Sequence, residues 1–469
     1  MKRVSLIAML LILALFVKVH AQVATTDEKL SEINDKVNGL TERLATDEAD
    51  LQKLTKIKVS GYIQAQYQSF ENLGVQPNSY FSLRRVRVKF TYEAADGVKF
   101  VLTPDFVPGT FALKDAYVVL NDRWTKSFSL WAGKFNRPNY EVEYSSSQRE
   151  IAERSKIITT LYPGERAIGA KLEFNPQNLP LHIQFALLNG NDDLVIADIN
   201  KAELNNKKTL GVNKDFDNYK DIMVRATYNL SLGSFGGLDF GAHGYLGSLK
   251  ANATQTLASD YKTVTTVKYG DAIKRNWVGG EFQLFADVLG GMSIKGEYIA
   301  GTNASVGFNG ITAVAANPTA TPPVAAVTGV VGAPNYQNKF AGYYVYFIKN
   351  LGKKNQFAFR YDYYDPNTDI SGKDVTATLG YNPADKSFKK MSGKSDLATT
   401  TFGLALHHYF DDNIRVSLNY DIVQNEKVGT AGVITEDYTK ADGSKVVKGF
   451  DYSNAINNNL LTLRIQAKF

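Results

Sequence analysis

Cysteine is absent from the 469 residues of the chain, which removes disulfide staples, thiolate nucleophiles and cysteine metal sites. Nowhere is there a run of about 20 apolar residues, the length a helix needs to cross a bilayer. Histidine is scarce: beyond residue 21 there are only His182, His243, His407 and His408, with no HExxH or GxSxG spacing around them. His407 and His408 cannot share a metal from one strand, because successive strand residues point to opposite faces. No glycine-rich loop able to cradle a phosphate precedes a helix. No cofactor, metal site or catalytic residue is therefore expected, and an enzyme is the weakest of the functions considered.

Strong charge is lacking as well. The formal net charge is +6. Lys2, Arg3 and Lys18 belong to a leader, and residues 57–469 keep 45 basic against 39 acidic side chains. So mild an excess argues against a nucleic-acid partner, and any anion preference must come from where the charges sit.

What is present falls into three segments. Lys2 and Arg3 form a positive start, Val4 to Val17 an apolar core, and Val19-His20-Ala21 a small-residue cleavage site, so residues 1–21 read as a signal peptide for export. An uncleaved anchor is the alternative. Residues 22–56 contain a heptad pattern, with Leu30, Val37, Leu44 and Leu51 every seven residues and Ile33, Leu40 and Leu54 at the matching positions. That is the signature of a short α-helical coiled coil, broken by Asp47. One amphipathic helix packed on its own domain is the alternative, but a single narrow stripe suits self-association better.

From Lys58 onward a period of two takes over. Val59, Gly61, Ile63, Ala65 and Tyr67 share one face, and Ser60, Tyr62, Gln64, Gln66 and Gln68 the other. The same code returns in 221–230 and 356–364. With no spanning helix, a membrane protein of this composition must be an all-β transmembrane antiparallel barrel, the other structure that satisfies its backbone in lipid. Connections are short and polar at 349–355 and 410–413, and long at 189–220, 301–339 and 424–457, as in outer-membrane barrels. In the final strand Leu461, Leu463, Ile465, Ala467 and Phe469 alternate with Thr462, Arg464, Gln466 and Lys468. A terminal amphipathic strand ending in phenylalanine resembles the signal read by the bacterial outer-membrane assembly machinery. A soluble β-sandwich or solenoid would share the alternation but would rarely combine it with a leader and this ending.

Several blocks together resemble the phosphate-selective porin O and P family. They are Phe81-Ser82-Leu83-Arg84-Arg85-Val86-Arg87-Val88-Lys89-Phe90, Leu113-Lys114-Asp115-Ala116-Tyr117-Val118, Trp131-Ala132-Gly133-Lys134-Phe135-Asn136-Arg137-Pro138, Glu153-Arg154-Ser155 and Arg166-Ala167-Ile168-Gly169. Phe359-Arg360-Tyr361-Asp362 and Phe402-Gly403-Leu404 continue the match in order. The resemblance implies a trimeric barrel of about 16 strands in the outer membrane, a third loop folded inward as a constriction, and a lumen whose arginines and lysines conduct anions. This chain departs from it by also placing Glu93, Asp115, Glu281, Glu297 and Asp362 on the inner wall, which bears on phosphate selectivity.

Alternation in 83–93 turns Val86, Val88, Phe90 and Tyr92 to lipid, so Arg85, Arg87 and Lys89 should project inward as an anion ladder. The inward loop is assigned to 137–166, with Arg149, Arg154, Lys156 and Arg166 as constriction cations beside Glu141, Glu143, Glu150, Glu153 and Glu165. Arg225, Arg360, Arg415 and Arg464 face the lumen by parity. Each of these could instead pair with a carboxylate and brace the wall, Arg360 with Asp362 above all. The function expected is an outer-membrane porin for small hydrophilic solutes, anions such as phosphate in particular. A non-selective diffusion porin of the same fold and a structural tether, with the heptad segment reaching toward peptidoglycan, are the rivals.

Overall fold

The computed structural model describes residues 29, 31–32, 36–44, 46 and 48, and then 56–469 apart from 72–77, 109–110, 191–216, 261–262, 306–309, 312–329, 332–334, 375–379, 383–386, 390–395, 430–432 and 440–444. The leader 1–21 lies outside the described residues, as do the heptad positions Leu30, Ile33, Leu51 and Leu54, the break at Asp47 and much of the three long connections. The described residues from 29 to 48 are helical. Their heptad residues Val37, Leu40 and Leu44 are exposed, and a Lys36–Glu32 ion pair of 2.7 Å spans one turn.

The second unit, which begins at Val59 in the contact pattern, is built from two-faced strands. Its strands, in chain order, are β1 (Ile57–Phe70), β2 (Ser79–Ala95), β3 (Val98–Asp105), β4 (Ala112–Asn121), β5 (Phe128–Asn136), β6 (Arg166–Phe174), β7 (Leu181–Leu188), β8 (Asp221–Ser231), β9 (Gly236–Lys250), β10 (Ala272–Ala286), β11 (Met292–Ser305), β12 (Asn335–Leu351), β13 (Asn355–Asp365), β14 (Thr399–Tyr409), β15 (Ile414–Asn425) and β16 (Leu460–Lys468). Each pairs antiparallel with its neighbour in sequence, and β16 returns to pair with β1 from Tyr62↔Lys468 to Phe70↔Leu460. The result is a closed barrel of 16 strands, which leaves no unpaired edge. A small hairpin, Gln255–Ala258 with Val264–Thr266, rises from the connection after β9 and adds parallel to the start of β12.

The seam depends on a glycine. Gly61 N–H and C=O exchange hydrogen bonds of 3.0 Å with Phe469. A Cβ at Gly61 would lie 2.4 Å from the Arg87 carbonyl oxygen and 2.5 Å from the Phe469 ring, so no larger residue fits without moving the closure.

Faces alternate as the hydrophobic pattern demands. In β16 Leu463 and Ile465 are exposed outward, while Thr462, Arg464 and Gln466 are buried inward. Aromatic pairs sit near both rims, Tyr92–Phe100 and Tyr228–Phe240 beside short turns, and Phe70–Tyr80 and Phe106–Phe111 beside the opposite connections. Such belts place amphipathic rings at the two lipid–water boundaries. One rim carries both ends of the barrel sequence and the turns 96–97, 122–127, 175–180, 232–235, 287–291, 352–354 and 410–413; the other carries every long connection.

Candidate functional site

The third connection on the long-loop rim, residues 137–165, enters the barrel. Asn139 starts a short helix, α1 (Tyr140–Glu143), its side chain accepting from the Val142 amide, and a second, α2 (Lys156–Leu161), follows. The apolar side chains of this loop, Val142, Ile157, Ile158, Leu161 and Tyr162, are buried. They join one cluster with Trp277, Ile299, Phe340, Tyr344, Tyr364, Ala358 and Ala405 from β10 to β14. Trp277 stacks flat on Tyr245 with centroids 3.9 Å apart, and its indole N–H donates to Tyr162 Oη at 2.8 Å. Burial of each aliphatic side chain is worth roughly 1.5–3 kcal/mol, so the loop is held to one wall chiefly by packing.

Polar ties fix the remaining loop backbone. Tyr346 Oη donates to Glu141 at 2.7 Å, Lys295 pairs with Glu150 at 2.9 Å, the Lys156 amide donates to Asp362 at 2.8 Å, and Arg464 donates to the Ala152 carbonyl at 2.8 Å. Gly164 and Glu165 both have positive φ, 72° and 71°, and the turn they make returns the chain to β6. Glu165 there pairs with both Arg154 and Arg166.

The opposite wall, β1 to β7, adds Phe135, Ala167 and Leu188 to the same cluster but leaves space beside its charged residues. A cavity of about 520 Å³ runs along it, lined among others by Arg87, Lys89, Asp115, Arg166, Lys171 and Glu173. A second, about 350 Å³, is lined by Arg84, Arg85, Arg87, Lys114, Arg149 and Arg154 against Asp105, Glu153 and Glu165. Arg87 lines both. The second cavity thus has twice as many cations as anions on its wall, in surroundings where water cannot fully screen them.

The cations expected from the sequence divide by partner. Arg87 Nε lies 2.7 Å from Asp105, with further bonds to Tyr62 at 2.9 Å and Ser146 at 3.3 Å. Arg154 is spent on the loop itself, donating to the carbonyls of Glu141, Val142 and Tyr144. Arg166 meets Asp115 at 3.0 Å. Arg225 lies between Glu281 at 2.6 Å and Glu143 at 2.5 Å. Arg360 donates to the Glu153 carbonyl at 2.7 Å and lies 3.6 Å from Asp362, the wall-bracing contact anticipated for it.

Arg85, Arg149 and Lys89 are different. Arg85 donates to Gln64 at 3.0 Å, its Nε has no partner, and neither do Nε and Nη2 of Arg149. Among the described residues neither arginine has a carboxylate within ion-pair distance, and Lys89 is exposed to the open cavity. Burial pushes the Arg149 guanidinium down from its usual value, opposed by Glu153 and Glu141, but an arginine remains charged. Glu153 is held well below the usual carboxylate range: burial works against its ionisation, and the Arg84 hydrogen bond with the charges of Arg84, Arg149 and Arg464 outweighs it.

Strict alternation missed Arg84. Phe81 and Leu83 are exposed outward, yet Arg85 and Arg87 of the same parity are buried inward, so the two-residue period slips by one at Arg84-Arg85, as at a β-bulge. Arg84 consequently reaches Glu153 with a two-pronged contact of 2.9 and 2.8 Å. The doubled arginine was the available signal. Lys171 was also missed; it stands 4.0 Å over the Trp131 ring and 2.6 Å from Glu173.

Residues 57–272 match the model of the family described as phosphate-selective porin O and P. No curated protein is similar to it in sequence. Among solved structures the chain is similar to an anion-selective porin from Comamonas acidovorans, at 12% identity over 88% of this chain and 99% of that one, TM-score 0.49. It is also similar to the outer membrane channel DcaP of Acinetobacter baumannii, at 10% identity over 88% and 97%, TM-score 0.49. A third is the trimer form of OmpT from Vibrio cholerae, at 11% identity over 88% and 99%, TM-score 0.45. The family match covers the inward loop and the strands β1 to β9.

Proposed function

We propose that this porin conducts small hydrophilic solutes across the bacterial outer membrane and favours anions such as phosphate at the constriction made by residues 137–165. The observation that carries the reading is the cation excess of the 350 Å³ cavity, together with Arg85 and Arg149, whose charges meet no carboxylate among the described residues. A fixed cationic ring raises local anion concentration and replaces part of an ion's hydration, while weak sites in series let it leave. The expected pore residues Arg85, Arg87, Lys89, Arg149 and Arg166 then act on the solute; Arg154, Arg225 and Arg360 act by holding the loop and the wall.

The test is the reversal potential of single channels in a potassium chloride gradient, with and without phosphate. Anion-to-cation permeability above one, reduced by phosphate competition, is expected. Unit permeability ratio would instead establish the non-selective diffusion porin, a reading favoured by the acidic cavity of about 270 Å³ around Glu143, Asp239 and Glu281. No conductance at all would favour the tether.

The oligomer proposed is a homotrimer in outer-membrane lipid, inserted through the terminal strand ending at Phe469 by the assembly machinery. Its segment 22–56 lies in the periplasm, is tied to two copies of itself as a coiled coil, and reaches toward peptidoglycan. The exposed apolar side chains of Val37, Leu40 and Leu44 support self-association. Deleting 27–56 should lower the temperature at which the trimer dissociates in native electrophoresis; an equally stable trimer would refute the tie.

A further inference from the structure

One buried cluster lies outside the lining of the two larger, cation-bearing cavities. His243 on β9, Glu281 on β10 and Glu297 on β11 lie side by side on the inner wall, with one ligand atom of each within 4.8 Å of the others. All three are nearly inaccessible. Glu281 and Glu297 are directly opposed in the β10–β11 register, an arrangement in which like charges repel. The His243 ring lies over Gly279, where a Cβ would come within 2.3 Å of its Cε1, so the glycine is what admits the imidazole.

Two features ask for an occupant. The His243 side chain is fully buried, its Nδ1 is 3.5 Å from Glu297 Oε1 and 3.8 Å from Glu281 Oε2, and neither ring nitrogen has a hydrogen-bond partner. Those distances are long for a hydrogen bond, but near the edge of about 3.4 Å that separates donors around a cation bonded at about 2.0–2.1 Å. Charge gives the second. Glu143, Glu281 and Glu297 bring three negative charges, and Arg225, bonded to the first two, brings one positive. Glu143 is part-exposed and Arg225 answers Glu281, so with a neutral His243 the buried charge of Glu297 meets no lysine or arginine among the described residues, which is costly.

We propose that His243, Glu281 and Glu297 bind a divalent transition-metal cation in the barrel wall. One imidazole and two carboxylates suit zinc, cobalt, nickel or manganese better than calcium or magnesium, which prefer all-oxygen shells. An outer shell is already in place. Tyr344 Oη donates to Glu297 Oε2 at 2.6 Å and Asn139 Nδ2 to Glu297 Oε1 at 2.7 Å, while Arg225 fixes Glu281; such contacts orient ligating groups. Glu281 also lines the 270 Å³ cavity, which supplies the route in. Because Asn139 is the residue that starts α1, the cation would join three strands to the root of the inward loop.

The experiment uses the full-length protein as its native oligomer, stripped with chelator and titrated with cobalt, then zinc. One cobalt per chain with a visible absorption band of low-symmetry N/O coordination, displaced by zinc, is expected. His243→Ala and the near-isosteric Glu297→Gln should each weaken binding at least tenfold, while His408→Ala, at an exposed residue on another strand, leaves it unchanged. Barrel folding of each variant is checked by heat-modifiable mobility, and if His243→Ala does not fold, Glu297→Gln decides. A wild-type chain that retains no cobalt after gel filtration would overturn the site and leave His243 as a buried imidazolium. Binding that survives Glu297→Gln, or is lost with His408→Ala, overturns it equally. Ion selectivity is measured separately, so loss of the metal site leaves the porin reading standing.

Discussion

The two walls that face the inward loop are built by the same alternation and do opposite work. On the β10–β14 side the inward residues are Trp277, Ile299, Tyr344 and Ala358, and the loop lies against them with its isoleucines buried. On the β1–β7 side they are Arg85, Arg87, Asp115, Lys171 and Gln184, and the loop meets them through polar contacts, Ser146 with Arg87 and Glu143 with Gln184, beside two cavities. A period of two specifies which residues face inward, but the chemistry of those residues decides whether that face becomes a packed support or a wetted passage.

The sharpest way to break the contrast is to make the packed wall resemble the open one. Ile157→Asp places a charge in the fully buried cluster, where removing the apolar side chain alone is worth about 2–5 kcal/mol. The loop should leave its wall and single-channel conductance should rise severalfold, read in planar bilayers; unchanged conductance would show that the loop does not narrow the path. Next comes the converse change. Arg85→Ala with Arg87→Ala should cut the anion-to-cation permeability ratio severalfold with little change in conductance, and an unaltered ratio would remove these residues from selectivity.

The smallest effect concerns acid. Glu153 has a folded-state pKa held below its unfolded one, so the stability it contributes is complete above the ordinary carboxylate value and is lost as pH falls through the depressed one. Conductance measured between pH 7 and pH 5 should therefore show no change traceable to this residue. Glu153→Gln should remove the ion pairs to Arg84 and Arg464 at every pH and flatten any loss of stability seen in stronger acid.

Much of the barrel was legible because alternation is a local property. The glutamine face of β1, the outward leucines of β16 and the split between short and long connections could all be read residue by residue. Partners could not. Arg225 and Glu281 are neutralised by each other although 56 positions apart, and parity alone ranked Arg225 with Arg85 as a pore cation. The slip at Arg84-Arg85 was hidden for a related reason, since a bulge depends on the neighbouring strand. His243 belonged to a set of four scattered histidines in sequence; its two acidic neighbours come from other strands and become visible only with the register.

The Gly61–Phe469 seam has a consequence for how the molecule comes into being. The first strand finds its second neighbour about 400 positions further along the chain, so the cylinder cannot shut before β16 is present. Until the two meet, β1 and β16 are raw borders awaiting each other, and bonds between partners so distant in sequence form slowly. Closure of this wall is therefore left to the two strands that are furthest apart in sequence.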